Sequence, residues 1–270
     1  MNINFKYGYY YGGRLIEVSA DLNADKEYYS KLKELLKIRR LTDYPLIRIG
    51  EQRKDGGYIM ANNFQTGGTA YSFGICDDIS WDSAMARYDY DIYMYDHTIN
   101  KLPSENPKFH YFKEGISGID EENRPLKTLK HFIERNNHSK TKNMILKMDV
   151  EGAEWDFLET VDTKTLKQFD QIVFEMHNLV RPSCADKALK LLEKLNKTHQ
   201  LIHLHGNNSG YLLTIGDTIF PDVIETSYVN KNNYETIDDD LVVLPSPLDV
   251  PNDMGRPDIP LGLWNTPVTF

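Results

Sequence analysis

Ile145-Leu146-Lys147-Met148-Asp149-Val150-Glu151-Gly152-Ala153-Glu154-Trp155 is the stretch on which the fold turns. A short apolar run of strand length ends in Asp149, and Gly152 permits a sharp passage into a following helix, which leaves Asp149 and Glu151 near the mouth of a crevice. Outward from it, Tyr71 to Ile75, Asp91 to Tyr95, His110 to Phe112 and Gln171 to Phe174 are further candidate strands. Candidate helices at Ser80 to Tyr88, Pro125 to Asn136 and Trp155 to Phe169 fall between them. Strands alternating with helices predict an α/β fold of parallel βαβ units, the strands covered on both faces. In such sheets a ligand sits outside the carboxyl ends of the strands, so Tyr71 to Asn178 is expected to build a nucleoside-cofactor crevice.

The flanks follow from the same periodicities. Asp25 to Leu41 predicts one helix, and Leu46 to Ile49 with Tyr58 to Met60 predicts a hairpin around Asp55-Gly56-Gly57. Downstream, Cys184 to Lys197 predicts a helix with Leu189, Leu192 and Leu195 as its core stripe, and Gln200 to His205 a strand. Gly210 to Ile215 and Val223 to Tyr228 are expected to pair antiparallel around the Gly216-Asp217 turn. Of the 12 prolines, 6 lie from Pro245 onward, so this tail is expected to wander over the surface. The chain is read as one domain in three parts: residues 1–66 a helix and hairpin cap, 67–245 the core, 246–270 the tail.

Composition narrows the class. An apolar fraction of 40% with 26% charged residues is that of a globular protein, not a disordered one. A net charge of -9 argues against a nucleic-acid partner. The one basic cluster, Lys31, Lys33, Lys37, Arg39 and Arg40, is interleaved with leucines at helical spacing and reads as a solvated helix face. Cys76 and Cys184 form no metal or redox spacing, which fits a reducing, cytoplasmic setting. Met1 to Gly13 does not read as a signal peptide, and no run approaches about 18 apolar residues, so no membrane span is expected. A small-molecule substrate is expected, and a homo-oligomer is compatible with the sequence.

The strand ends carry the chemistry. The first ends in Gly74-Ile75-Cys76-Asp77-Asp78, where Gly74 allows close backbone approach to a nucleoside, Asp77 or Asp78 meets a polar or cationic group, and Ser80 is a helix N-cap. The turn is neither a Walker loop nor a G-x-G-x-x-G fingerprint. Asp96, ending the second strand, suits the two ribose hydroxyls. Ile116 and Ser117, beyond the third, are candidates to flank an adenine ring.

The 145–155 stretch resembles the K-[IM]-D-[VI]-E-G-[AF]-E signature of FkbM-like, S-adenosylmethionine-dependent methyltransferases, which include surface-polysaccharide biosynthesis enzymes. Lys54-Asp55-Gly56-Gly57-Tyr58, Tyr71-Ser72-Phe73-Gly74 and Phe174-Glu175-Met176-His177 are similar to that family as well, and the resemblance spans about residues 48 to 228. It implies a Rossmann-like class I methyltransferase sheet of seven strands, mostly parallel with the last antiparallel. It also implies S-adenosylmethionine as cofactor, with Gly74 and Asp77 by the methionine moiety, Asp96 by the ribose, Ile116 and Ser117 near adenine, and Tyr58 among the cofactor-binding residues. The first-strand turn is poorer in glycine than is usual in methyltransferases.

A hydroxyl accepting a methyl needs a base or a metal. His177 at the end of the fifth strand is the first candidate base, with Asp149 and Glu175 beside it as catalytic residues, and His203 and His205 as further histidines. Asp149, Glu175 and His177 together suit Mg²⁺ or Mn²⁺, since Glu175 and His177 point to the same side of a strand. His203, His205, Asn207, Asn208 and Glu225 are candidates for binding the acceptor, amides and carboxylates matching vicinal diols. The expected activity is O-methylation of a sugar or nucleotide sugar. An amine or phosphoryl acceptor, or a nucleotide-binding protein without catalysis, are the competing readings.

Overall fold

Residues 144–148 alternate between two buried layers. Met144, Leu146 and Met148 join the larger apolar cluster, and Ile145 joins the smaller one on the opposite face. The computed structural model in which this is seen describes residues 5–11, 14–20, 26–180, 184–215 and 218–269. The core strands are β1 (Thr69–Phe73), β2 (Asp91–Tyr95), β3 (Phe109–Phe112), β4 (Met144–Met148), β5 (Phe169–Met176), β6 (His199–Gly206) and β7 (Ile224–Asn230). They form a seven-stranded sheet in the order β3-β2-β1-β4-β5-β7-β6. Neighbours from β3 to β5 are parallel, and β7 runs antiparallel to both β5 and β6. Every residue of β4 and β5 is buried, as expected of central strands covered on both sides.

The larger cluster packs helices Lys26–Leu35, Leu129–Arg135, Glu154–Thr160 and Ala185–Asn196 on one face through Leu32, Phe132, Phe157 and Leu192. The other face is covered by helix Ser80–Arg87 and by the antiparallel hairpin Leu46–Gly50 and Gly57–Ala61, through Trp81, Met85, Tyr58 and Met60. Register then decides where the chemistry lies. Phe112, Tyr95, Phe73, Met148 and Phe174 pair in one row across five strands. One position further on stand Asp96, Gly74, Asp149 and Glu175, and Glu175 pairs with Glu225, which pairs with His205.

Several elements differ from the sequence expectations. The first helix ends at Leu35, and Arg39–Leu41 instead pairs antiparallel with Thr236–Asp238. Its basic residues meet acids there: Arg40 lies 3.2 Å from Asp239 and Lys37 3.1 Å from Asp240. The predicted helix Trp155 to Phe169 is two, because Val161 is extended and Asp162 caps Thr163–Leu166 by accepting from Thr165 N at 2.7 Å. Helix formation in Pro125 to Asn136 waits until Leu129, after the Thr128 cap, since Leu126–Lys127 pairs with Gly115–Ile116. Leu212–Ile215 does not pair with β7; it forms a hairpin with Thr218–Pro221 and joins Phe5–Tyr11 and Arg14–Ala20 in a separate four-stranded sheet. Asp25 and the Gly216-Asp217 turn lie outside the described residues.

The proline-rich tail is held to the core by side chains. Trp264 is buried and donates to Leu36 O at 2.9 Å, and Asn265 donates to Ile38 O at 2.7 Å. Among the described residues, no helix is long and apolar enough to cross a membrane.

Candidate active site

A cavity of about 790 Å³ opens at the carboxyl ends of β1, β2 and β4, where the crossovers to β2 and from β4 diverge. Gly74, Asp77, Asp96, Ile116, Tyr58 and Asp149 all line it. Of the expected cofactor residues only Ser117 is outside the lining; its hydroxyl is 3.4 Å from Glu121.

Asp96 is built into the turn after β1. Oδ2 accepts from Ile75 N and Cys76 N, each at 2.9 Å, and Oδ1 accepts from Thr98 N at 2.7 Å and Thr98 Oγ1 at 2.6 Å. Burial pushes this carboxyl up, but the four hydrogen bonds outweigh it and hold it below the usual carboxylate range. A carboxylate has about four acceptor positions, and one here goes to a rotatable hydroxyl that another hydroxyl can replace. The turn itself takes φ 47° at Cys76, a left-handed conformation usually left to glycine. The aspartate clamp explains how a glycine-poor turn keeps that shape.

One expectation about this turn is corrected by geometry, and another gains a second reason. Ser80 is the first helical residue, not the cap: Ile79 occupies the N-cap position without a side-chain bond. The Ser80 hydroxyl donates instead to Gly56 O at 3.1 Å, tying the 54–58 segment to the cavity rim. Gly74, with φ 76°, serves the protein backbone: a Cβ there would fall 1.5 Å from Asp149 O. Its small size lets β1 and β4 meet.

Beyond β3, Ile116 and Leu126 give the cavity an apolar wall, and His97 and Thr98 stand at its edge. Gly115 is a cradle for that edge, since a Cβ would meet His97 Nδ1 at 2.6 Å and Leu126 Cδ2 at 2.8 Å. His97, Thr98 and Leu126 were not anticipated. Thr98 carried a readable sign, two residues after Asp96 as in a local Asx turn.

At the other side of Gly74 the Asp149 carboxylate accepts no hydrogen bond from any described residue. Burial raises its pKa to about 6; Lys147 and His177 pull it down, while Glu154 and Glu151 push it further up. Lys147 donates to Gly74 O at 2.8 Å with its ammonium 5.9 Å from the Tyr58 ring. Glu151 and Gly152 both have positive φ, 55° and 106°, which turns the chain sharply into the next helix. The turn is closed by Glu154, whose Oε1 accepts from Val150 N at 2.9 Å and lies 3.2 Å from His177 Nδ1.

His177 is outside the cavity lining. Burial lowers its pKa, but the Glu154 hydrogen bond and the charges of Glu154, Asp149 and Glu151 outweigh it, so the imidazole sits above its ordinary value. Its Nε2 is 3.5 Å from both Glu151 and Glu175. Asp149, Glu175 and His177 do not converge as one set, although His177 touches both groups of acids. Asp149, Glu151 and His177 converge on one side, and Glu175 converges with Asp55 and Glu225 on the other.

That second group adjoins the strand ends of β6 and β7. Asn207 donates to Glu175 at 2.9 Å. Burial, then Asp149, Glu225 and Asp55, hold the Glu175 carboxyl well above its usual range. His205 lies 3.0 Å from both Glu225 and Asp258; burial lowers its pKa, but these two partners raise it to about 10. His203 pairs with Asp249 at 2.8 Å. Asn208 is fully buried and binds the tail through Asp253 N, Asp253 O and Arg256 O. None of these five acceptor candidates lines the cavity; four of them, His203, His205, Asn208 and Glu225, tether residues 249–258 over the sheet edge.

The fold and site define a protein with a nucleoside-sized cavity at the switch point of a mixed seven-stranded sheet. The model of the methyltransferase FkbM domain matches residues 11–204, and the chain belongs to that family of methyltransferases. No curated protein matches the sequence. Among solved structures, a hemolysin candidate from Streptococcus thermophilus is 11% identical with a TM-score of 0.36, over 63% of this chain and 61% of that one. A candidate methyltransferase of an antibiotic biosynthesis pathway from Anabaena variabilis is 13% identical with a TM-score of 0.31, over 53% of this chain and 61% of that one. The chain thus spans about three fifths of the length of each of these two, 61% in both cases.

Proposed function

We propose that the cavity binds S-adenosylmethionine in a Rossmann-like class I methyltransferase core, and that a cytoplasmic O-methylation of a sugar or nucleotide sugar in surface-polysaccharide biosynthesis takes place at its Asp149 wall. The observation that carries this reading is Asp149 itself: a cavity-lining carboxylate with no hydrogen-bond donor among the described residues, its pKa raised by burial to about 6. Such a group accepts a proton near neutral pH.

The residues present fit the cofactor. A volume of about 790 Å³ holds a nucleoside with its amino-acid arm. Ile116 and Leu126 suit an adenine face, and Asp96 suits ribose hydroxyls once Thr98 Oγ1 turns away. Lys54 and Asp77, of opposite charge at the rim, suit the carboxylate and ammonium of a methionine end. When bound, the cofactor supplies a methyl group already activated on a sulfonium. The chain supplies positioning, which is the larger part of catalysis for an activated donor. Asp96 fixes the cofactor turn, Asp149 holds the acceptor proton at its carboxylate, and the apolar wall excludes water. His177, held toward its charged form by Glu154, acts as an electrostatic partner of Asp149 instead of the base.

The test is mass spectrometry of a panel of neutral and amino nucleotide sugars incubated with enzyme and S-adenosylmethionine. A gain of one methyl group on a neutral sugar is expected. Methylation confined to amino sugars would replace the hydroxyl acceptor with an amine, and no methylated product across the panel would overturn the sugar reading.

A further inference from the structure

Asp55, Glu175 and Glu225 each bring a carboxylate oxygen to within 4.8 Å of the others. Two of the three are buried, yet no lysine or arginine among the described residues pairs with any of them. Glu225 uses Oε2 for His205, which leaves Oε1 turned to the cluster. Among the described residues, Glu175 has only the Asn207 amide at 2.9 Å and the His177 ring at 3.5 Å. The cluster opens on the cavity through Asp55 and Tyr58.

Two buried groups beside it are incomplete. Asn252 is 8% exposed; its Nδ2 donates to Asp55 Oδ1 at 2.9 Å and Glu225 Oε1 at 2.6 Å, while its buried Oδ1 has no partner among the described residues. Tyr58 is 3% exposed, feels the charges of Asp55, Glu175 and Glu225, and has no hydrogen-bond partner among the described residues for its hydroxyl. An amide looks nearly the same after exchange of its oxygen and nitrogen. In the exchanged orientation the oxygen would face the Asp55 and Glu225 carboxylates, which is repulsive unless a cation lies between them.

We propose that Asp55, Glu175, Glu225 and the turned Asn252 amide hold one hard divalent cation, with the Tyr58 hydroxyl beside it and its open side toward the cavity. Four oxygen donors with a carboxylate majority suit Mg²⁺, Mn²⁺ or Ca²⁺. Asp149, Glu151 and His177 make a poorer site, because the Glu151 side chain is 88% exposed. The Asp55 site also explains why a residue from the tail, Asn252, reaches the rim of the cavity. It stands or falls separately from the identity of the methyl donor.

The test is a Mn²⁺ titration of the full chain without cofactor, reading free Mn²⁺ by electron paramagnetic resonance. One saturable Mn²⁺ per chain is expected, with affinity lowered at least about tenfold in Glu225→Gln and in Asp55→Asn, and unchanged in Glu151→Gln. Asp55 is exposed, so Asp55→Asn reports on binding even where a substitution at buried Glu225 disturbs folding; a thermal melt of each variant confirms the fold. Absence of saturable binding at millimolar Mn²⁺, or binding by Asp55→Asn equal to that of the unaltered chain, overturns the site.

Discussion

Asp149→Asn is expected to lower kcat by about 10²–10⁴-fold, the contribution typical of a positioned acid or base, while S-adenosylmethionine still binds. The rate of the unaltered enzyme should rise with pH through about 6, where Asp149 loses its proton, and the amide variant should lack that limb. Stability should move the other way. A carboxyl raised to about 6 from an ordinary 3.8 stabilises the fold fully only below 3.8, and that contribution is lost as pH climbs through about 6. At pH 7 the charged group is a burden that asparagine removes. Asp149→Asn should therefore melt at or above the temperature of the unaltered chain, which separates a lost base from a lost fold. Turnover at the full rate in this variant would transfer the role elsewhere, with His177 next to be tested.

Gly74→Ala has the largest expected effect on stability. Its Cβ would sit 1.5 Å from Asp149 O, a backbone atom between two central strands, at a φ of 76° that alanine rarely adopts. Overpacking and left-handed strain each cost about 1–3 kcal/mol, so a loss of about 3–5 kcal/mol is expected. For a chain of this size that corresponds to a fall in Tm on the order of 10 °C. Thermal unfolding by circular dichroism reads it. If Gly74 served only the approach of a nucleoside, the variant would melt normally and lose cofactor affinity alone.

The central architecture was legible because β1, β2, β4 and β5 are short apolar runs ending in polar residues, and that pattern has few other solutions in an alternating α/β chain. Asp96, Gly74 and Asp149 were located by the same logic, since the carboxyl ends of such strands face the ligand. What sequence could not show was partnership. Nothing around His177 says that Glu154, three residues beyond Glu151, would take its Nδ1. The tail misled for a related reason: prolines announce the absence of regular structure, not the absence of contacts, and Asn252, Asp249 and Asp258 reach the strand edge from loop backbone. The first helix was overextended because Ile38 and Leu41 continue its apolar spacing, although Arg39 and Arg40 find their acids at the end of a strand and just beyond it, about 200 residues later in the chain.

The most direct measurement of the central claim is calorimetric titration of S-adenosylmethionine into the unaltered chain and into Asp96→Ala. One cofactor per chain is predicted, with affinity at least about tenfold weaker in the variant, in line with one or more charge-assisted hydrogen bonds lost from the ribose end and its turn. Absence of heat at millimolar ligand, or equal binding by both proteins, would contradict the assignment of this cavity to the cofactor.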